Sequence, residues 1–451
     1  MPFLVLIVFA AAGARLAAAG QGFVGIDDKG SLVLEPPAGG QVLVDGVAFQ
    51  ELVRRLDEQA AEIRALKQQQ QAAGGAGRLL PSEYFRARLG HLYAGAIITV
   101  DDARGAGGPT SIAMAPGHIP VIAYRDTFGS TVKLATCNDA KCTGSSVRTL
   151  SSTSGVRGSG ISLAVNSSAN ASVIAFRDET GPTLKLAVCV DLECSSSTTY
   201  TVDKTGNAGH HPSLSLSSAG YPVISYQEGV VDVLKLAICP DFTCEAPTIR
   251  ILADRAQYMS LALTPGNDHP VVAFQDISQS VQVLRVAVCE QPLCSSFIVS
   301  TIDDGGNTGI FTDLALTSGG APVILYHRVR SSTELMLALC HDPKCTAEPT
   351  VFTVDDVGSR TWFPSLQLTA EGYPVMAYYN KIGADPCLAR CSDANCTSIT
   401  RRTLESGADD IGMYPSLALT DLGYPIISFQ KDLSGTATAL QLVVCEDATC
   451  F

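Results

Sequence analysis

Past residue 95 the apolar positions fall into short runs of strand length, each broken by Gly, Pro, Asn or Asp, and the same succession of runs keeps returning. Drawn from different copies, the succession reads "PSLALT" (415–420), a turn such as "EGYP" (371–374), "PVISYQE" (222–228), "LKLAIC" (234–239), a cysteine hairpin, and a run such as "TTYTVD" (198–203). Short runs rich in Val, Ile, Leu and Tyr with turn residues between them are the pattern of strands. Four such runs per copy make one four-stranded sheet, and a repeat of this length with four strands is the blade of a β-propeller. The expected fold is all-β, a seven-bladed β-propeller of four-stranded blades over residues 95–451.

The cysteines count the blades. Seven couples follow one another 50 to 54 residues apart: Cys137 with Cys142, Cys189 with Cys194, Cys239 with Cys244, Cys289 with Cys294, Cys340 with Cys345, Cys391 with Cys396, and Cys445 with Cys450. Zinc is the rival reading of paired cysteines, but the couples lack recurring His partners and each lies a full repeat from the next. Disulfides formed in an oxidising compartment are therefore expected, each closing the turn between the third and outermost strands of a blade. A closed loop of about six residues removes only about 2 kcal/mol of unfolded-state entropy, so these are staples for a fraying edge and do not replace a core. Cys387 has no partner in its own copy; it reads as a buried thiol, with an intermolecular crosslink as the alternative.

The last copy reaches Cys450 without a fourth run, while "AIITVDD" (96–102), which matches the fourth-strand runs, precedes the first innermost strand. This N-terminal strand is expected to complete blade seven and close the ring, removing free sheet edges.

Residues 1–94 differ in composition. The apolar run "FLVLIVFAAAGA", followed by "AAAG" at 17–20, reads as a signal peptide over residues 1–19, too short to span a bilayer. Residues 20–67 hold two apolar runs around "EPPAGG", then a heptad-like series at Phe49, Leu52, Leu56, Ile63 and Leu66. That series predicts a short coiled-coil helix and homo-oligomerisation through residues 47–67, with a helix folded back on the propeller as the alternative. "QQQQAAGGAG" opens a flexible linker over residues 68–94.

The copy pattern resembles the seven-bladed propeller repeats of secreted proteins with Cys-x4-Cys pairs, and is distantly similar to sialidase-type propellers. The N-terminal stretch looks like the trimerising stalks that precede the heads of fibre-like surface proteins. The likeness implies a fold and no activity. The sialidase Asp-box with its Trp is absent, Trp362 being the only Trp in the chain.

Strand order separates two faces. The "GYP" turns and cysteine hairpins lie at the bottom, and so do the sequons at Asn166, Asn170 and Asn395, which are expected to carry glycans. The top is left for a ligand. Two residues before the innermost-strand Ser or its equivalent stand Pro109, Gly160, His211, Tyr258, Phe311, Phe363 and Tyr414. His211, Tyr258, Phe311, Phe363 and Tyr414, with the adjacent Trp362, make a candidate ligand-binding rim at the channel mouth; His210, Arg360, His327 and Tyr379 could extend it. The competing reading is that these rings pack between blades.

Acids also recur at the top end of the second strand, at Asp126, Asp178, Glu228 and Asp276, together with Lys133, Lys185, Lys235 and Arg285 on the third strand. Acid and base appear and vanish together, which predicts a cross-strand pair in each of these blades in preference to paired catalytic carboxylates. The Asp of the "TVD" runs, Asp101, Asp203, Asp303 and Asp355, reads as a turn former. A net charge of -13 disfavours nucleic acid. The expectation is a secreted or cell-surface binding protein whose partner is a glycan or an extracellular protein. It carries no catalytic residue, cofactor or metal and does not insert in a membrane. A structural role in an extracellular covering and a glycoside-cleaving enzyme are the alternatives.

Overall fold

The computed structural model describes residues 96–152, 160–358, 363–406, 411–433 and 437–450, together with five short strands between residues 16 and 48. It divides into two units, Met1–Tyr84 and Phe85–Phe451. In the first, Leu16–Ala18 pairs with Val42–Val44, which pairs in turn with Val47–Ala48, while Phe23–Ile26 pairs with Leu32–Glu35. The two runs flanking "EPPAGG" are thus strands, but each pairs elsewhere. Apart from Leu16–Ala18, the expected leader, the heptad helix with its self-association and the linker lie outside the described residues.

The second unit is a propeller of seven antiparallel four-stranded sheets. The innermost strands are Thr110–Ala115, Ile161–Asn166, Ala208–Leu216, Ala256–Leu263, Asn307–Leu316, Ser365–Leu368 and Ile411–Leu419, which open blades one to seven. In blade seven the outermost strand is Ala96–Asp101, paired with Ala437–Val444, so the N-terminal strand closes the ring as expected. Seven buried clusters, one per blade junction, share the hydrophobic core.

All seven expected disulfides are formed. Cys137 is bonded to Cys142, Cys189 to Cys194, Cys239 to Cys244, Cys289 to Cys294, Cys340 to Cys345, Cys391 to Cys396 and Cys445 to Cys450, with Cα–Cα distances of 4.7–5.1 Å. The second cysteine of each couple takes a left-handed backbone: φ is 52° at Cys142, 53° at Cys194, 51° at Cys244, 48° at Cys294, 49° at Cys345, 54° at Cys396 and 57° at Cys450. Spacing alone gave the pairing but not this turn, which is left-handed at a residue type that seldom adopts such a φ. Such a set of bridges belongs to an oxidising, extracellular setting. Cys387 is a free, buried thiol that burial pushes up to about 12.

Two sets of polar contacts tie the blades together. Each innermost strand turns one edge to the axis, where its N–H groups need acceptors. The Ser of the preceding blade supplies one: Ser111 accepts from Leu163 N, Ser162 from Leu214, Ser213 from Leu261, Ser260 from Leu314, Ser365 from Leu417 and Ser416 from Ile112, all at 3.0–3.1 Å. In blade five Asp313 takes the serine's place and accepts from Leu366 N at 2.7 Å. The seven bonds form a closed circuit around the axis.

The second set joins each second strand to the outermost strand of the blade before it. Tyr226 donates to Asp203 at 2.7 Å, Tyr326 to Asp303 at 2.6 Å and Tyr378 to Asp355 at 2.8 Å, and Tyr124 donates likewise to Asp101. Where the preceding blade has Ser151, Ala253 or Glu405 at the Asp position, the second strand carries Phe176, Phe274 or Phe429 in place of Tyr. The other carboxylate oxygen does form the expected turn, accepting from Ala103 N, Thr205 N and Gly305 N after Asp101, Asp203 and Asp303. The cross-strand pairs form at Lys133–Asp126 (2.8 Å), Lys235–Glu228 (3.4 Å) and Arg285–Asp276 (3.1 Å). Blade two departs from the pattern: Lys185 donates to Thr201, and Asp178 accepts from Thr180.

Burial pushes the Asp313 carboxyl up to about 6, against the pull of the Leu366 N–H and the Ser260 hydroxyl. With its folded pKa above the unfolded value, ionisation of Asp313 opposes folding, and the penalty grows as pH rises from about 4 to about 6. Asp313→Ser, which restores the residue of the other six blades, should raise stability by about 1–2 kcal/mol at neutral pH and by little below pH ~4, measured by denaturant unfolding. Tyr326→Phe should cost about 1 kcal/mol in the same assay, because it strips a part-buried bond from Asp303; a variant as stable as the parent would show the junction needs no such bond.

Candidate functional site

The channel mouth is built by a repeated irregularity in the innermost strand. In blade three, His210 pairs with Gln227 and the next partners are Ser213 and Ser225, so three steps on one strand match two on the other. The same single-residue bulge separates Gln257 from Ser260, Ile310 from Asp313 and Met413 from Ser416. Within each bulge sits the ring-bearing residue in the left-handed region: His211 (φ 47°), Tyr258 (52°), Phe311 (52°) and Tyr414 (53°). Bulky residues avoid this region at a cost of about 1–3 kcal/mol each, and they persist there only when the surroundings hold them. Gly209 lets the chain enter the bulge: its φ is 99°, and a Cβ there would come within 3.0 Å of the Leu184 Cα in the neighbouring blade. In blades one and two the corresponding residues are Pro109 and Gly160, neither at positive φ; in blade one Arg125 likewise faces two residues, its carbonyl accepting from Gly108 N at 2.9 Å and its N–H donating to the Pro109 carbonyl at 3.3 Å.

The five rings meet. Centroids lie 5.3 Å apart for His211–Tyr258, 4.5 Å for Tyr258–Phe311, 4.3 Å for Phe311–Phe363 and 6.4 Å for Phe363–Tyr414. His211 also lies 5.6 Å from Phe363. Those two belong to blades three and six, so the contact crosses the axis and the rings cap the channel. All five are partly exposed. The expected rim is thus a set of mutually packed rings that keep an open face, combining the two readings the sequence allowed. Trp362 and Arg360 lie outside the described residues.

Behind the rings, one position of each second strand is polar and buried: Arg125, Arg177, Gln227, Gln275, His327 and Gln430, with Tyr379 as the remaining member. His327 and Tyr379 therefore stand under the rim and do not extend it. Burial pushes His327 down to about 3. Arginine occurs only in blades one and two, opposite the ringless Pro109 and Gly160. Arg125 is 0% exposed; its Nη2 donates to the carbonyl of Arg177 at 2.7 Å, while Nε and Nη1 find no acceptor. Arg177 pairs with Glu179 at 2.5 Å and donates to Asn207 Oδ1 at 2.5 Å. The Asn207 amide reaches His210 Nε2 at 3.4 Å. Burial, then the charges of His210 and Arg177, push His211 down to about 4.

Sequence reading found the ring-bearing positions and named His210. It missed Arg125, Arg177, Glu179 and Asn207, whose signal is the residue before the second-strand acid, Arg in the "YRD" and "FRD" copies alone. Of the sequon residues, Asn166 is buried with Oδ1 accepting from Ala169 N, and Asn170 and Asn395 are exposed at the bottom turns. Among the described residues no group of three or more His, Cys, Asp and Glu side chains could hold a metal ion.

No family model and no curated protein matches the chain. Solved structures do. The polysaccharide lyase Uly1 aligns with a TM-score of 0.52 at 9% identity, over 76% of this chain and 91% of its own. A polysaccharide lyase described as PL25-ulvan lyase aligns with a TM-score of 0.53 at 9% identity, over 77% and 96%, and another structure of that lyase is bound to -[GlcA(1-4)Rha3S]-. At such identity the likeness is one of fold. These neighbours nonetheless overturn the expectation that a chain of this fold is not an enzyme, because both are lyases matched over nearly their full length. Two arginines, a glutamate and a histidine stand close together on blades one to three, apart from the cross-strand acid–base pairs.

His211 and His327 contribute stability that is full above the unfolded histidine value of about 6.5 and is lost as pH falls toward about 4 and about 3. His211→Phe should flatten the loss between pH ~6.5 and ~4, and ring NMR should find His211 neutral at pH 5. A midpoint for His211 at the ordinary histidine value would mean the ring stands in water.

Proposed function

We propose that this chain is an extracellular protein that engages a polysaccharide at the top mouth of its propeller. The observation that carries the reading is the set of partly exposed rings on blades three to seven, four of them held at positive φ. Backbone strain kept at one height in four blades is costly, and strained positions gather where a surface has work to do. Sugar rings present apolar C–H faces that stack on aromatic side chains, and a cluster of rings with open faces suits several sugars in succession. The lyase fold of the neighbouring structures supports a glycan as the partner.

A second reading extends the first: the chain cleaves the polysaccharide it holds. The proximity of His210, Arg177 and Glu179 supports it, because a group that takes up a proton, a cation and an acid within one site are the elements of acid–base bond cleavage. Exposed Asn170 and Asn395, at the opposite face, would carry glycans of their own without obstructing the mouth.

Full-length protein should be mixed with a panel of neutral, carboxylated and sulfated polysaccharides, with binding read by calorimetry and cleavage by the length of the recovered chains. Binding should fall at least about tenfold in Tyr258→Ala and Phe363→Ala, each checked for an intact fold. Undiminished binding in both folded variants would remove the rings from the site. Shortened chains would establish the second reading.

A further inference from the structure

The two blades without rings are not blank. Where Pro109 and Gly160 stand in place of a ring, the second strand behind them supplies Arg125 and Arg177, and the other five blades offer no cation at that position. Arg125 is fully buried yet uses only one of its nitrogens, on the Arg177 carbonyl. A buried guanidinium with two idle nitrogens is a poor structural element, because each buried N–H that finds no acceptor forfeits its solvation. No carboxylate lies within ion-pair distance of it among the described residues. Asp178, the nearest acid in sequence to Arg177, turns into its own loop to accept from Thr180. Arg177 is itself half committed: one nitrogen holds Glu179, another holds Asn207, and Nε is idle.

We propose that the junction of blades one to three is an anion site, specific for the oxyanion of an acidic sugar, a carboxylate or a sulfate ester, with Arg125 and Arg177 as its donors. The proposal rests on the polysaccharide reading above and names the class of polysaccharide. Glu179 acts as the resident counter-ion: it neutralises Arg177 when no ligand is bound and yields its place to the incoming oxyanion. A planar guanidinium presents parallel N–H donors that match the two oxygens of a carboxylate or sulfate, which suits arginine in both positions better than lysine. His210, linked to Arg177 through Asn207, borders the site, and its neighbour His211 is the first of the five rings. An acidic sugar held at the arginines would thus have the next sugars of its chain over His211 and Tyr258. The acidic net charge of the whole protein makes the local excess of arginine meaningful, because long-range attraction does not draw polyanions to the rest of the surface.

The test uses the full chain and three sets of oligosaccharides of matched length: neutral, uronate-bearing and sulfated. Acidic ligands should bind at least about tenfold more tightly than neutral ones, and Arg125→Gln and Arg177→Gln should erase that margin while leaving neutral binding in place. Comparing the uronate and sulfate arms identifies the oxyanion. Independently of the variants, sodium glucuronate and sodium sulfate titrated into the unmodified protein should shift the His210 ring resonances saturably, with sodium chloride at equal ionic strength as the reference. Equal affinity for neutral and acidic ligands, or a preference retained by folded Arg125→Gln, would overturn the anion site and leave the polysaccharide reading intact. No oligosaccharide binding with a saturable sulfate or glucuronate shift would do the reverse. A His210 ring indifferent to both anions would mean that water alone fills the idle donors, and would overturn the proposal.

Discussion

The closed circuit of seven hydrogen bonds around the axis is the constraint on which the rest of the molecule depends. A propeller turns the bare edge of every blade toward its own centre, where seven strands converge. Each edge must find acceptors from its neighbour. A serine hydroxyl is small enough to stand near the axis and reaches the N–H of the next blade at 3.0–3.1 Å. Because the circuit runs from Ser416 back to Ile112, it also fixes the height at which blade seven meets blade one. The closing strand Ala96–Asp101 then needs only to complete a sheet already in register. The bulges sit immediately above this circuit, two residues before each serine or Asp313, and the circuit holds their lower ends. Their upper residues are gripped too, since the Tyr414 carbonyl accepts from Thr110 at 2.9 Å and that of Tyr258 accepts from Thr312. Strain at the mouth is therefore carried by bonds from the adjacent blade.

What could be read from the chain and what could not divide along the range of the interactions. The cysteine couples, the four runs per copy and the closing "AIITVDD" are local patterns repeated in sequence, and each appears in the structure where the periodicity places it. The Tyr and Phe alternation at 124, 176, 226, 274, 326, 378 and 429 was equally visible. Its meaning was hidden, because the partner Asp belongs to the preceding copy, 23 residues upstream, and a copy-by-copy alignment never sets the two side by side. Read within one copy, Asp203 is a turn former. Read across the junction, it also anchors Tyr226 and lies 3.3 Å from Lys235.

The site was legible in the same partial way. Ring-bearing residues at a fixed offset from the serine identified the mouth, but nothing in an alternating pattern announces a bulge, since an extra residue in a strand looks like an ordinary one until the ladder is seen. The bulge explains how the rings of blades three, four, five and seven are aimed to the mouth: an unbroken strand would send alternate side chains to the two faces of the sheet. Packing between blades and exposure at the mouth, which compete as readings of the sequence, coexist because the rings pack on each other and leave one face open.

A ring of near-identical blades has no preferred side, and a ligand of definite chemistry requires one. Here the asymmetry arises from an exchange between two strands. Blades three to five and seven place a ring held at positive φ two residues before the axial Ser or Asp, with Gln or His behind it; blades one and two carry Pro109 and Gly160 there and place Arg behind them. The exchange conserves the fold, since the axial serine circuit and the four-strand ladder are the same in both kinds of blade. It changes only the surface, from apolar rings on one side of the mouth to cations on the other. Symmetry of the backbone and asymmetry of the mouth are thus compatible because they are set by different residues of the same strand. The residue at the axis must keep an acceptor for the N–H of the next blade, as Ser does in six blades and Asp313 does in blade five. The residue two places before it can become a ring, a proline or a glycine while the propeller stays closed.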